Sequence, residues 1–213
     1  MTNNLYLEHK FIPEKIFAES LIKKLTLPER IKEILAQRAK VSLNDPQRKR
    51  AAVLVPLFQK GTAYHLLVTK RTEQLPHHKG QISFPGGSQN PGEDLLTTAL
   101  REAQEEIGLR AQDVTILGEL DDTSTFSSDF LISPFVGFIP YPYPFKINFQ
   151  EIAEIIEIPW IELTNPQNWR QEITKKDGLF QPLYFFYYQD YLIWGATARI
   201  LRQLVDLLCP KEK

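Results

Sequence analysis

Apolar positions change spacing several times along the chain. After Pro13, Ile16, Phe17, Leu21 and Ile22 recur at helical intervals, as do Ile31, Ile34 and Leu35 between Leu27 and Arg38, which predicts two N-terminal helices. Asn44-Asp45-Pro46 is a turn signal. Ala51–Phe58 is a nearly unbroken apolar run, the pattern of a strand buried on both faces, and Tyr64–Thr69 reads as its hairpin partner beyond Gly61. Further strand-like runs lie at Val114–Leu120, Leu131–Ile139, Ile155–Trp160, Leu183–Tyr188 and Tyr191–Trp194. An amphipathic helix closes the pattern from about Ala196 to Leu208. Between the first hairpin and the next helix, residues 71–93 carry Pro76, Gly80, Pro85, Gly86, Gly87, Pro91 and Gly92, which reads as a long ordered loop of the kind that carries function. The helix after it runs from about Asp94 to Ile107 and stops at Gly108. Strands interleaved with helices predict an α/β fold with a mixed sheet.

Composition narrows the class. The 213 residues are 43% hydrophobic and 24% charged, which suits one globular domain with a real core. Lys and Arg number 25 against 26 Asp and Glu, so no global basic field recruits nucleic acid or an anionic membrane. No apolar stretch approaches the ~20 residues of a membrane span, and residues 1–25 are charged throughout, unlike a signal peptide. The lone Cys209 makes no internal disulfide and excludes Cys-rich zinc sites, so a cytoplasmic setting is expected.

The chemistry concentrates on the helix after the loop. At ~100° per residue, Leu96, Leu100, Ala103 and Ile107 fall on one side, the expected buried stripe. Glu102, Glu105 and Glu106 are spaced three and four apart and are expected to point away from it. Like charges at this spacing repel by roughly 0.2–0.5 kcal/mol per pair, and acids at a helix C-terminus oppose its dipole. In isolation such a triplet reads as a solvated acidic face. A divalent cation would remove the conflict, and clustered hard oxygens suit Mg²⁺ or Mn²⁺.

The surrounding residues decide between these readings. Gly87, Glu93, Arg101, Glu102, Glu105, Glu106 and Gly108 occupy the fixed positions of G-x5-E-x7-R-E-U-x-E-E-x-G-U, and the segment resembles the Nudix box at every one of them. The resemblance implies a Nudix-type α/β/α sandwich carrying N-terminal helices, and metal-dependent hydrolysis of a nucleoside diphosphate linked to another moiety. It implies Glu102 and Glu106 as metal ligands, Glu105 as third ligand or as the base, and Arg101 as the group that orients Glu105. Glu93 would tie the loop to the helix start. Gly86 and Gly87 would bring backbone close to metal or phosphate. Some Nudix enzymes use a glutamate outside the box as base, and among Glu151, Glu154 and Glu157 the candidate is Glu154.

A second motif lies upstream. Leu67, Thr69, Arg71, Gly80, Phe84, Pro85, Gly86 and Gly87 match L-L-T-x-R-[SA]-x3-R-x3-G-x3-F-P-G-G, and the segment is similar to the signature of coenzyme A diphosphatases. Val68 and Thr72 depart mildly. Pro76 stands where that family has Arg, removing a cation and a donor. This resemblance implies a small nucleotide substrate, coenzyme A or acyl-coenzyme A, held by Arg71, Lys70, His78 and Gly87. It covers roughly residues 48–205, which divides the chain into a helical extension over 1–46 and a hydrolase domain over 47–208. Hydrolysis of ADP-ribose or of dinucleotides such as NADH is the second reading, and a non-catalytic nucleotide sensor is the third; the complete acid set argues against the sensor. Homodimerisation is left open.

Overall fold

The computed structural model describes residues 25–74, 79–125, 129–176 and 179–210. The helix expected over 14–22 lies outside them, as do Pro76 and His78. Helix α1 (Leu27–Gln37) starts where Thr26 and Glu29 form a capping box and Pro28 fits the first turn. Ile31, Ile34 and Leu35 are buried in the main core, so this part of the expected extension packs as an integral element.

A mixed sheet is built on the central strand β1 (Lys49–Lys60), whose residues 51–58 are all buried. It pairs in parallel with β7 (Phe130–Phe138) and antiparallel with β2 (Ala63–Arg71). Strands β5 (Thr115–Glu119) and β6 (Thr123–Ser124) lie antiparallel to β7, and β8 (Ile152–Pro159) lies antiparallel to β2. The strand expected over 155–160 stops at Pro159, because Trp160 opens the short helix α3 (Trp160–Thr164).

Alternation along β1 sorts the core into two layers. Val53, Val55 and Leu57 face α1, the C-terminal helix α4 (Gly195–Leu208) and a small second sheet. Ala52, Leu54 and Phe58 face α2 (Leu95–Ile107). The molecule is therefore the expected α/β/α sandwich. The second sheet orders β11 (Tyr191–Trp194), β10 (Leu179–Tyr188) and β9 (Trp169–Lys176).

The segment expected as one long loop contains the feature that positions the site. β1 and β2 pair from Leu57/Leu66 to Lys60/Ala63 and then diverge. The chain from Gln81 to Gln89 fills the gap. Its β3 (Ile82–Ser83) pairs with β2, and its β4 (Gly86–Ser88) pairs with β1. Leu54 N–H donates to Pro85 O, and Gln89 N–H donates to Arg50 O. The Phe84-Pro85-Gly86-Gly87 turn is thereby held as part of the sheet, against α2.

Candidate active site

Helix α2 is fixed at both ends by its own sequence. Asp94 caps the N-terminus by accepting from Thr97 N–H at 2.9 Å. Gly108 takes the left-handed conformation, and its N–H reaches the Ala103 and Gln104 carbonyls. Its buried face is rotated from the expected one. Thr98, Ala99, Ala103 and Ile107 are buried, whereas Leu96 and Leu100 are only partly covered. The sheet selects the small side chains, because Ala99 and Ala103 let the helix approach β1 and β4 closely. This corrects the expected orientation of the acids: at ~100° per residue Glu106 lies about 20° from Ala99, inside the covered face. Glu106 is 1% exposed.

The three helix acids have different surroundings. Glu106 accepts from Arg71 Nη1 at 3.3 Å and from Gly86 N–H at 3.2 Å. Burial pushes its pKa up to about 8; Arg71 and the Gly86 N–H oppose this, while Glu102 and Glu151 add to it. Glu102 is half-buried and is raised by burial too, with Arg101 opposing. Its carboxyl group packs where a side chain at Gly87 would begin, so only glycine allows this approach of β4 to α2. Glu105 is the exposed member.

Arg101 holds the group together. Its Nε and Nη2 make a two-pronged bond to Glu93 at 2.9 and 3.1 Å. Nη1 donates to Glu102 at 2.8 Å and to Glu105 at 3.1 Å, and Nη2 also reaches the Ser88 carbonyl at 3.1 Å. Arg101 holds the Glu93 carboxyl down to about 2 against its partial burial, helped by Thr98 Oγ1 and Asn90 N–H. Loop, strand β4 and helix are thus pinned at one guanidinium.

The sheet brings together Arg71, Gly86, Gly87, Arg101, Glu102, Glu105 and Glu106. It does not bring Lys70 or Glu154 to them. Successive strand residues face opposite ways. Arg71 reaches Glu106, whereas Lys70 is paired across the strands with Glu154, with Nζ 3.4 Å from its Oε1. Glu154 also accepts from the Tyr191 hydroxyl at 3.0 Å. Among the described residues neither Glu154, expected as base, nor Lys70, expected as substrate ligand, contacts the acid cluster. The outside acid that the site does receive is Glu151, which lies 3.9 Å from Arg71 Nη2 and raises both Glu102 and Glu106. The 151/154/157 spacing flagged the region, but only the register at the Lys70/Arg71 bulge selects Glu151.

Among the described residues no group of three or more His, Cys, Asp or Glu side chains is placed to hold a metal ion. The donor set nevertheless fits a hard divalent cation: Glu106 is a buried carboxyl whose two donors do not offset its desolvation, and Glu102 lies against bare Gly87 backbone. Arg71 Nε is buried and has no partner among the described residues. A cleft of about 310 Å³ adjoins these groups, lined by Arg71, Gly86, Gly87, Phe84, Trp194 and Ala196 among others.

Residues 48–177 match the NUDIX domain family model. A protein named uncharacterized Nudix hydrolase NudL, from Yersinia pestis (strain Pestoides F), is 38% identical over 159 residues, covering 74% of this chain and 79% of its own. Its namesake from Yersinia pseudotuberculosis serotype O:1b (strain IP 31758) gives the same figures. Among solved structures, a MutT/nudix family protein from Enterococcus faecalis superposes with a TM-score of 0.52 at 14% identity, over 94% of this chain and 81% of that one. Among the described residues no helix is long and apolar enough to cross a membrane.

Proposed function

The chain belongs to the Nudix family, a hydrolase acting on pyrophosphate bonds, and on that premise we propose that its substrate is coenzyme A or acyl-coenzyme A, cut at the diphosphate to 3′,5′-ADP and 4′-phosphopantetheine or its acyl derivative. The observation that carries this reading is the contact between the two sequence motifs: Arg71 and Gly86 of the upstream motif both bond to Glu106 of the helix motif. Two residues of the segment that resembles the coenzyme A signature thus contact the acid cluster, which supports the reading.

Glu102 and Glu106 would hold Mg²⁺ or Mn²⁺, with the Gly86 backbone completing the set. A cation there supplies charge neutralisation on the phosphates and an acidified water. Arg71, partly exposed beside Glu106, neutralises a phosphate oxygen. Glu105, exposed and held by Arg101, takes the proton as the water oxygen bonds to phosphorus and the bond to the bridging oxygen breaks. Arg101 acts by position, fixing three carboxylates at once.

The test is hydrolysis of coenzyme A, ADP-ribose and NADH with Mg²⁺ or Mn²⁺. Coenzyme A is expected to give the highest kcat/KM. Equal or better turnover of ADP-ribose would overturn the assignment in favour of the second reading.

A further inference from the structure

The cleft lining mixes two kinds of residue. Arg71, Gly86 and Gly87 also adjoin the acids, whereas Phe84, Phe130, Ile132 and Trp194 are apolar and stand among polar Gln81, Ser83 and Thr125. A diphosphate needs only the first kind. Trp194 is the largest ring in the lining and is 40% exposed, although an indole is among the side chains that gain most from burial.

Its placement is rigid. In β11, Ile193 is fully buried against Phe186 of β10, so alternation turns Trp194 outward beside its cross-strand partner Phe185. Gly195 follows with φ +68°, which turns the strand directly into α4 and keeps the indole at the cleft wall. Apart from its chain neighbours and its own helix backbone, no atom lies within 4 Å of where a Cβ on Gly195 would stand, so no other element packs over the strand-to-helix turn. An exposed planar aromatic lining the same cleft as a guanidinium offers the two chemistries a nucleotide needs: charge for the phosphates and a flat π-surface for the base.

We propose that Trp194 is the stacking platform for the nucleobase of the substrate and so a specificity residue. The proposal rests on the nucleotide reading above. Base–aromatic stacking predicts roughly tenfold or more in affinity, with little dependence on which base is present.

The test uses the full chain in Mg²⁺ buffer and compares the binding of AMP with that of ribose 5-phosphate, which differs only in lacking the base. Wild type is expected to prefer AMP by about tenfold or more. Trp194→Ala is expected to remove the preference while leaving ribose 5-phosphate affinity within twofold, and Trp194→Phe to keep most of it. A wild type without the preference, or a Trp194→Ala protein that retains it, overturns the proposal. Should Trp194→Ala not fold, Trp194→Leu takes its place: loss of the preference supports the platform, and its retention overturns it. If the AMP preference behaves as expected but ADP-ribose outperforms coenzyme A in hydrolysis, the coenzyme A assignment fails and Trp194 stands. The reverse pattern removes Trp194 alone.

Discussion

Glu106 and Asp122 are both buried carboxyl groups, 1% and 8% exposed, and the protein treats them in opposite ways. Asp122 directly precedes β6. It accepts from Ser133 Oγ at 2.6 Å and Leu43 N–H at 3.1 Å, with Lys40 at 3.0 Å and Arg50 at 3.1 Å. Burial alone would raise its pKa, but Ser133, Lys40 and the Leu43 N–H outweigh it and hold the group below its ordinary value. Glu106 has two longer donor contacts and two acids nearby, so burial wins and its pKa rises to about 8. One carboxylate is saturated with partners and ties Lys40, Leu43 and Arg50 to β7 through Ser133. The other is desolvated without saturation, the state a site keeps when a ligand is to supply the missing charge.

The largest test of this contrast is Glu106→Gln. The expected outcome is turnover lower by about 10²–10³-fold or more, since an electrostatic group is lost at the reacting phosphates. Metal-free thermal stability should hold or rise, because a neutral amide replaces an under-compensated acid. Near-normal turnover would remove Glu106 from the metal set.

Asp122→Ala should behave in reverse. It leaves Lys40 and Arg50 facing a partly buried void, with an expected loss of about 3–5 kcal/mol in denaturant unfolding and unchanged kcat per folded molecule. If instead activity falls and stability holds, the two acids have been assigned the wrong roles.

Arg71→Ala should lower kcat/KM by about one to two decades, mostly through KM, as a charge-assisted contact worth about 1.5–3 kcal/mol is lost. A fall in melting temperature at unchanged KM would make Arg71 structural.

The smallest effect is on pH. A carboxyl with a depressed folded pKa stabilises above its unfolded value, about 3.9, and the benefit disappears as pH falls through the folded value. The stability gap between wild type and Asp122→Asn should therefore be full at pH 6 and narrow steadily below about pH 4. A gap that is constant from pH 6 to pH 2 would mean that charge at Asp122 contributes nothing.

What was legible in the sequence was local or motif-borne. Helix α2 was readable because its cap and its stop are local signals, and its acids were recognisable from the motif, although the face they occupy was not. The central strand was readable because burial on both sides leaves a continuous apolar run. β9 was not: Trp-Arg-Gln-Glu-Ile-Thr-Lys-Lys has neither run nor alternation, and pairing with β10 makes it a strand. Nor did the apolar residues of α2 alone give its buried face, since the leucines are larger than the gap beside β1 admits.

Sequence by itself determined the acid-bearing helix, its caps and the motif that marks the family, because each depends on residues near one another along the chain; the sandwich followed only from the resemblance. Tertiary structure decided which acids the site owns. Glu106 became buried when the helix rotated onto small residues, Lys70 and Arg71 parted to opposite faces, and Glu151 rather than Glu154 joined the cluster. Those outcomes depend on strand register and on a bulge, where a shift of one residue moves a side chain to the other face of the sheet.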